Sequence, residues 1–369
     1  MFDLQQSAGV SLAAEFCGIK LQSPFVLSSG PLSYAAEGLI RAHRAGAGAV
    51  VTKTIRLRAA VNPVHHISAV DRDSLINCEK WADSKPDLWF EREIPMAKEA
   101  GVVVIASVGH TREEAARLVK GCAEAGADAI ELVSYREDVL LPMLKAVKDL
   151  VSLPVICKLS GNWRDPVGIA LKCLEEGADA ISAIDSLGPA LKIDIAHARP
   201  AMFSRDGYGW LSGAAMRPLA LRINAEIARK GCDNLMGIGG VTKAEDAVEY
   251  MMVGAKVVGF HSIALLKGVD YIAKLCRDTA ILLAQLGYGS LQEVIGAALP
   301  NFPQEERLGR LEFHLGPGCT NCRRCVTVCP YQARTLEFPV MKVDQDLCRS
   351  CGLCLSVCPS GALLATLAD

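Results

Sequence analysis

One short pattern recurs four times between Arg44 and Val258 and restricts the fold more than any other feature of the sequence. In each copy, a helix end is followed by a glycine suited to the left-handed cap and then by a strand that is apolar throughout. The four copies are Arg44–Val50, Glu124–Ile130, Glu175–Ile181 and Met252–Val258. Continuous apolar strands of this kind favour a parallel sheet that helices cover on both faces.

Eight apolar strands can be counted along the chain, near residues 25, 50, 104, 130, 156, 182, 236 and 258. A helical pattern follows the first of them, from Ala35 to about Ala45, where Gly46 closes it. Eight such strand–helix units predict a (β/α)8 barrel, and an open, doubly wound sheet is the alternative. Further helices are expected over Ile272–Leu286 and Ser290–Ala298.

Eight cysteines near the C-terminus form two runs of identical spacing, Cys319-x2-Cys322-x2-Cys325-x3-Cys329-Pro330 and Cys348-x2-Cys351-x2-Cys354-x3-Cys358-Pro359. Three closely spaced thiolates can hold three corners of a 4Fe–4S cube, and in two-cluster ferredoxins the fourth ligand comes from the opposite run. The predicted ligand sets are therefore Cys319, Cys322, Cys325 and Cys358 for one cluster, and Cys348, Cys351, Cys354 and Cys329 for the other. Zinc or disulfides are the alternatives, although zinc usually takes paired CxxC or Cys/His ligands.

Length and composition exclude several classes of protein. The 369 residues fit a large domain and a small one, which we place at residues 1–299 and 319–369 with a linker at 300–318. A net charge of −2 gives no reason to expect a nucleic acid or an anionic membrane as partner. No apolar run approaches the roughly 18 residues that span a bilayer, and the N-terminus lacks the basic start of a secretory signal.

We therefore expect a cytoplasmic protein whose fifteen cysteines are ligands or free thiols and not disulfides. Seven of them lie outside the two runs and are scattered singly. Most of these seven are expected to be small buried hydrophobes.

Two lysines stand in or at the end of otherwise apolar strands. Lys53 ends the second strand, and Lys158 lies in the fifth, Val155–Ser160. A lysine inside a barrel is costly unless it meets an anion or another electron-rich partner. Because chemistry in this fold lies at the carboxyl ends of the strands, both lysines are candidates for a cofactor site. A salt bridge to a barrel carboxylate is the alternative for each.

Three glycine-rich segments near the later strands suit a phosphate group. Met236–Thr242 runs from the seventh strand through a glycine pair into a helix, for which Thr242 is the candidate N-cap. Gly259–Ser262 ends the eighth strand, and Gly207–Gly213 offers further backbone amides before a helix near Met216. Amides at a helix start bind phosphate, and the loops after strands seven and eight are the usual phosphate site of this fold.

A phosphorylated cofactor beside two clusters points to flavin mononucleotide (FMN), which exchanges hydride with a substrate and single electrons with clusters. The chain has no GxGxxG fingerprint at an opening βα turn, so no nicotinamide site is predicted. The expected electron partner is a soluble ferredoxin or a separate flavoprotein subunit that carries FAD and NAD(P)H.

The barrel resembles the dihydroorotate dehydrogenase family, and its combination with a two-cluster module resembles the FMN half of dihydropyrimidine dehydrogenase and its bacterial iron–sulfur subunit. The resemblance spans about residues 15 to 365 and rests on the cysteine runs and on Ser28–Gly30, Thr52–Thr54, Leu75–Glu79, Cys157–Ser160, Leu211–Gly213 and Gly237–Gly240. It implies that Lys53 and Lys158 approach the flavin ring and ribityl chain, and that Asn77 faces the substrate. The phosphate would be held by Ser212, Gly213, Gly239, Gly240, His261 and Ser262, and the remaining cofactor-binding residues would be Ser29, Gly30, Thr54 and Ser186.

The chain departs from this family on the substrate side. Family members carry Asn-x-Ser-Cys-Pro after the fourth strand and then a mobile loop with a catalytic cysteine or serine. Here Val133 stands in place of the asparagine, and the next helix begins near Asp138. After the sixth strand, Ile184–Ser186 stands where a pyrimidine enzyme has Thr-Asn-Thr. A pyrimidine ring needs those amides, so uracil, thymine and orotate are expected to be rejected.

The general acid of the missing loop must then come from another residue. Its candidates are the polar residues at predicted strand ends, Tyr135, Glu137, Asp185 and His110. Arg136 could pair with a substrate carboxylate. A solvated loop residue or a structural ion pair is the alternative in each case, and His65 and His66 are expected at the surface or in a lid.

We accordingly expect an oxidoreductase, dependent on FMN and 4Fe–4S clusters, that acts on a CH–CH group of a small unsaturated substrate. An electron-transfer subunit whose barrel has no substrate chemistry is the main alternative, and a flavin-binding scaffold or redox sensor is the third. The resemblance also implies a homodimer or a heterocomplex.

Overall fold

A computed structural model describes residues 10–368 of the chain. The chain divides into two compact units, with the boundary between Asn301 and Phe302.

The first unit contains a closed barrel of eight parallel strands. In chain order they are β1 (Phe25–Leu27), β2 (Ala49–Val51), β3 (Val104–Gly109), β4 (Ala129–Val133), β5 (Val155–Leu159), β6 (Ala180–Ala183), β7 (Leu235–Ile238) and β8 (Val257–Phe260). Each strand pairs with the next in sequence, and β8 pairs with β1 to close the ring. The predicted (β/α)8 barrel is confirmed, and the open sheet is excluded.

Helices connect the strands on the outside of the barrel. The main ones are Ala36–Arg44, Ile94–Glu99, Arg112–Glu124, Glu137–Lys148, Pro166–Glu175, Arg217–Arg229, Ala244–Met252, Ser262–Lys267 and Tyr271–Gln285. Shorter turns of helix are Pro31–Ser33, Pro86–Leu88, Trp89–Glu93, Ile195–His197, Ala214–Met216, Leu291–Val294 and Leu299–Asn301. The cap glycines of the repeated pattern, Gly46, Gly126, Gly177 and Gly254, all have positive φ, as the sequence predicts.

Alternate residues of each strand serve two separate cores because side chains in a strand point to opposite faces. Val26 and Val51 belong to the core inside the barrel, whereas their neighbours Leu27 and Val50 pack against the helices. An antiparallel hairpin, Ala14–Phe16 with Ile19–Leu21, adds Phe16 and Leu21 to the inner core. The barrel interior is therefore packed and leaves the site to the strand ends.

A four-stranded antiparallel sheet stands at the carboxyl end of the barrel. Its order is Leu187–Ala190, Gly209–Gly213, Ser74–Asn77 and Ile67–Ala69. Trp210 lies directly opposite Asn77, so the two side chains share one face. A further two-stranded sheet joins Ile193–Asp194 to Arg199–Pro200.

The second unit is built from two antiparallel strand pairs, Arg310–Leu315 with Leu363–Ala368 and Arg334–Glu337 with Val340–Val343. It also contains the short helices Arg324–Thr327 and Leu353–Ser356. The predicted linker, residues 300–318, thus contains a strand. The alternation of polar and apolar residues in Arg310–Leu315 gives that strand one half-buried face, and the distant C-terminal strand pairs along its edge.

Two predicted helix boundaries are wrong. The helix expected over Ser290–Ala298 covers only Leu291–Val294, because the chain turns at Gly296 with φ +79°. Thr242 is not an N-cap. The helix starts at Ala244, and both the amide and the hydroxyl of Thr242 donate to the Asp246 carboxylate.

Within residues 10–368, no helix is long and apolar enough to cross a membrane. Of the seven scattered cysteines, five are buried as predicted, namely Cys122, Cys157, Cys173, Cys232 and Cys276.

Candidate active site

A cavity opens at the carboxyl ends of the barrel strands. It holds about 1130 Å³ of space outside the protein atoms, open solvent at its mouth included. Every residue predicted to bind the cofactor lines it, namely Ser29, Gly30, Lys53, Thr54, Lys158, Ser186, Ser212, Gly213, Gly239, Gly240, His261 and Ser262. Four candidates for catalysis also line it, namely Asn77, His110, Tyr135 and Asp185.

Two residues proposed from sequence lie elsewhere. Glu137 is exposed and does not line the cavity, because it is already the first residue of the helix after β4. Arg136 is also exposed, and its guanidinium pairs with Asp138 at 2.5 Å. Glu137 is therefore removed from the candidate acids and Arg136 from the candidate carboxylate ligands.

Lys53 meets a carboxylate at the cavity wall. Its Nζ lies 2.5 Å from Oε2 of Glu79, which also lines the cavity. Burial lowers the pKa of Lys53, and Glu79 opposes that effect. The salt-bridge alternative is thus realised here, in a lysine that still faces the cavity.

Lys158 forms part of a buried charged cluster at the cavity floor. Its Nζ lies 3.5 Å from Oδ1 of Asp185 and 3.9 Å from Oε1 of Glu131. Burial alone would lower the pKa of Lys158, but the two carboxylates raise it above its ordinary value.

Glu131 is 0% exposed, and its Oε1 has no hydrogen-bond partner. Its other oxygen, Oε2, accepts from the Ser182 hydroxyl at 3.3 Å. Burial raises the pKa of Glu131. Lys158 and Asp185 therefore line the cavity, whereas Glu131 is fully buried near Lys158 and does not line it.

One corner of the cavity is formed by backbone in unusually close contact. Gly240 has φ +75°, and a Cβ there would lie 2.5 Å from the Gly213 carbonyl oxygen. Gly213 has φ +93°, and a Cβ there would lie 2.3 Å from the Asp73 carbonyl oxygen. The hydroxyls of Ser212 and Ser262 meet at 2.8 Å beside them. Small residues are required here, which leaves backbone amides and hydroxyls accessible.

His261 connects β8 to the loop after β1. Its Nδ1 donates to the Ser28 carbonyl at 2.7 Å, and its Nε2 accepts from the Leu32 amide at 3.1 Å. Both ring nitrogens are therefore used by backbone, and the ring holds the loop instead of presenting a free donor to a ligand. Burial lowers the pKa of His261 to about 3.

The buried, neutral His261 should make the stability of the fold sensitive to acid. Since the folded pKa lies below the ordinary 6.5, the fold holds the neutral ring, and the unfolded chain takes up a proton first. The contribution of His261 to the free energy of unfolding is complete above pH 6.5. Below pH 6.5 this contribution falls by about 1.4 kcal/mol per pH unit, until the pH approaches 3. In chemical denaturation between pH 7 and 5, His261→Gln should show a flatter dependence than wild type. The exposed His65, changed to Gln, is the matched control, and an equal flattening there would refute the assignment.

An aromatic stack borders the cavity. The rings of His110 and Tyr135 are parallel at 4.8 Å, and Tyr135 stacks on Trp210 at 5.0 Å. Trp81 meets His110 edge-on, and the Arg56 guanidinium lies over Trp81 at 4.2 Å. Burial lowers the pKa of His110 to about 4, and its Nδ1 has no partner.

Sequence reasoning did not identify Glu79, Glu131, Trp81 or Trp210 as site residues. Glu131 carried a usable signal, because it is a charge inside an apolar strand just as Lys158 is. The two tryptophans gave none, since their contacts depend on loops far apart in the chain. His65 is exposed and His66 is half-buried, and neither lines the cavity.

The second unit contains a small cavity lined by four of the predicted cluster ligands. These are Cys329, Cys348, Cys351 and Cys354, the set in which one cysteine comes from the opposite run. Phe313 and Arg334 complete much of its wall. Within residues 10–368, no three Cys, His, Asp or Glu side chains converge closely enough to ligate a single metal ion. What fits a 4Fe–4S cluster is the presence of four thiols, those of Cys329, Cys348, Cys351 and Cys354, around one cavity.

Comparison with known proteins gives the same two-part division. The model of the dihydroorotate dehydrogenase family matches residues 11–283, and that of the 4Fe-4S dicluster domain matches residues 318–362. The chain is 32% identical over 301 residues to the dihydroorotate dehydrogenase B (NAD(+)) catalytic subunit of Methanothermobacter thermautotrophicus, which covers 78% of this chain and 98% of that protein. The same-named subunits of Pyrococcus abyssi and Thermoplasma acidophilum are 32% and 31% identical, each over 78% of this chain and 99% of the relative.

The family model covers most of the first unit, and the relatives match along nearly their whole length. The dicluster match falls entirely within the second unit. The chain therefore belongs to the dihydroorotate dehydrogenase family and joins its barrel to a 4Fe–4S dicluster domain.

Proposed function

We propose that this protein is an FMN-dependent iron–sulfur oxidoreductase that exchanges electrons between a protein partner and a small, planar, unsaturated substrate other than a standard pyrimidine. The main support for this proposal is that every residue assigned to the flavin lines one cavity at the strand ends. The stacked rings of His110 and Tyr135 form part of the wall of the same cavity. Bound there, FMN would supply hydride exchange with the substrate and single-electron exchange with the clusters.

The flavin phosphate fits the glycine corner. Gly213 and Gly240 approach so closely that no Cβ is tolerated, and such corners let backbone amides reach an anion. The Ser212 hydroxyl, which accepts from Ser262, would donate its own proton to the phosphate. His261 would act indirectly, since its ring already holds the loop that contains Gly30. Lys53 and Lys158 would face the polar edge of the ring system.

The clusters would be ligated by the two cysteine sets predicted from the sequence. The cavity around Cys329, Cys348, Cys351 and Cys354 supports the second set, and the spacing of the runs supports Cys319, Cys322, Cys325 and Cys358 for the first. The relatives are named NAD(+)-linked catalytic subunits, a name that implies another subunit. This supports an FAD- and NAD(P)H-binding flavoprotein as partner, with ferredoxin as the simpler alternative.

The substrate side of the cavity argues against a pyrimidine. Val133 lines the wall where the resemblance places an amide, and Asp185 and Ser186 follow β6. His110 and Tyr135 instead present flat rings, which favour a planar conjugated molecule that stacks. A pyrimidine here would lose the amide partners of its carbonyl and N–H groups, which should lower selectivity for it by about 10²-fold.

Tyr135 is the proposed proton donor. Saturating a C=C bond delivers hydride to one carbon and a proton to its neighbour, and Tyr135 lines the cavity beside Asp185 and Lys158. Burial raises the pKa of Tyr135 to about 12. The residue as a whole is 52% exposed, so solvent reaches it. The phenol keeps its proton at neutral pH and can regain it from solvent.

Replacing Tyr135 with Phe should lower substrate turnover by about 10²–10⁴-fold, the usual contribution of a positioned acid. Flavin reduction through the clusters should stay near the wild-type rate, because the ring stack and the cofactor residues are retained. Glu137→Gln, outside the cavity, is the matched control. Stopped-flow measurement of the two half-reactions separates these effects, and equal loss in both would remove Tyr135 from this role.

The function itself is tested by anaerobic reduction of the purified protein and spectral titration with conjugated acids, aromatic acids and pyrimidines. We expect that conjugated or aromatic acids without a pyrimidine ring reoxidise the flavin, and that orotate and uracil do not. Efficient reoxidation by a pyrimidine would overturn the substrate proposal.

A second candidate, an electron-transfer subunit without substrate chemistry, is favoured by one observation. Only Ser134–Arg136 separates β4 from the next helix, so there is no room for the mobile loop that carries the catalytic cysteine or serine in the family. In the titration above, reoxidation by no small molecule, with rapid exchange to ferredoxin or a flavoprotein, would select this candidate.

A further inference from the structure

Arg334 is a buried arginine in the dicluster unit. Its residue is 4% exposed, and its guanidinium lies 3.9 Å from the centre of the Phe313 ring. Nη1 donates to the Met341 sulfur at 3.1 Å, whereas Nη2 is buried without a hydrogen-bond partner. Neither neighbour is an anion. Burying a cation in such surroundings is costly, so a counter-charge is expected at this position.

The side chain faces the cysteines. Arg334 lines the same cavity as Cys329, Cys348, Cys351 and Cys354. Thiolates around an iron–sulfur cube give the assembly a net negative charge, which grows by one when the cluster is reduced. Such an assembly would provide the anion that the guanidinium lacks.

We propose that Arg334 is a positioning charge for the cluster held by Cys348, Cys351, Cys354 and Cys329, which favours the reduced state of that cluster and so raises its reduction potential. This inference rests on the cluster ligation proposed above. Reduction adds one electron to a cluster without changing its bonds, and a nearby fixed positive charge stabilises the product more than the reactant. The effect should be larger at the cluster of the Cys348 run, because Arg334 lines its cavity.

The test is a redox titration of the full-length, cluster-loaded protein, followed by electron paramagnetic resonance of the reduced clusters. Arg334→Met keeps an apolar chain over Phe313 but removes the charge, and it should move the midpoint potential of the Cys348 cluster to a more negative value. Arg334→Lys keeps the charge and should stay close to wild type. Arg349→Gln is the matched control, because Arg349 is exposed beside Cys348 and water screens its charge.

A second variant covers failure of Arg334→Met to retain its clusters. Met341→Glu would place a carboxylate next to the guanidinium and neutralise it in place, with Met341→Gln as its control. A negative shift specific to the glutamate supports the proposal. Unchanged potentials in both Arg334→Met and Met341→Glu would overturn it. Equal shifts in Arg334→Met and Arg334→Lys would also overturn it. Iron content of the wild type below two clusters per chain would instead reject the ligation itself.

Discussion

The Gly240→Ala variant should fold but retain little flavin. The added Cβ would lie 2.5 Å from the Gly213 carbonyl oxygen and 2.9 Å from Cβ of Arg217, and neither is a flexible side-chain end. Overpacking of this kind costs about 1–3 kcal/mol, and here the strain falls on the corner proposed to hold the phosphate. FMN binding should therefore weaken by about 10- to 100-fold.

Gly231→Ala is the matched control for this variant. Gly231 also has positive φ, +94°, but a Cβ there would have nothing within 4 Å. Both variants bear the left-handed backbone cost of about 1–2 kcal/mol, and only Gly240→Ala adds the clash. The measurement is fluorescence titration of the flavin-free protein with FMN, together with denaturant unfolding. Equal FMN affinity in the two variants would show that the phosphate lies elsewhere.

Much of the barrel could be predicted because its signals are local. The cap glycines mark the helix ends, and each apolar strand is buried regardless of which strands lie beside it. The eight strands can therefore be recognised from short windows of sequence. The spacing of the cysteine runs is local in the same way. The lining residues could be placed because parallel strands bring their carboxyl ends to one edge.

The remainder of the site depends on contacts between distant segments. The stack of His110, Tyr135 and Trp210 joins residues up to 100 positions apart, and no periodicity reports it. The pairing of Lys53 with Glu79 likewise requires the fold of the loop between them. Glu137 was misplaced for a local reason, since the short connection Ser134–Arg136 makes Glu137 the first residue of the next helix.

The two barrel lysines show what burial adds to a charge pattern. Both had a salt bridge as the plain alternative, and both have one, yet their surroundings differ. Glu79 beside Lys53 is 12% exposed at its side chain, whereas Glu131 near Lys158 is 0% exposed. If Lys53 is removed, water can solvate Glu79, whereas water cannot reach Glu131 if Lys158 is removed.

Lys158→Met should accordingly be the more damaging substitution in the barrel. It leaves Glu131 fully buried and without its nearby cation, and breaking such a pair costs about 3–5 kcal/mol. Lys53→Met leaves a carboxylate that is 12% exposed and that water can reach, so it should cost less than Lys158→Met in the same urea unfolding experiment. The double variant Lys158→Met/Glu131→Gln should recover much of the loss, since it removes the stranded charge.

The cost of Lys158→Met should also depend on pH in a defined direction. Burial already raises the pKa of Glu131, and Lys158 is the charge that opposes it, so its removal raises that pKa further. A group with a raised folded pKa stabilises fully below its ordinary value, here 4.5, and loses that contribution as pH rises through the folded pKa. The deficit of Lys158→Met relative to wild type should thus be small at pH 5 and grow towards pH 8, and this pH dependence should be absent from the double variant. A deficit independent of pH would mean that lost packing of the lysine chain, not the stranded carboxylate, destabilises the barrel.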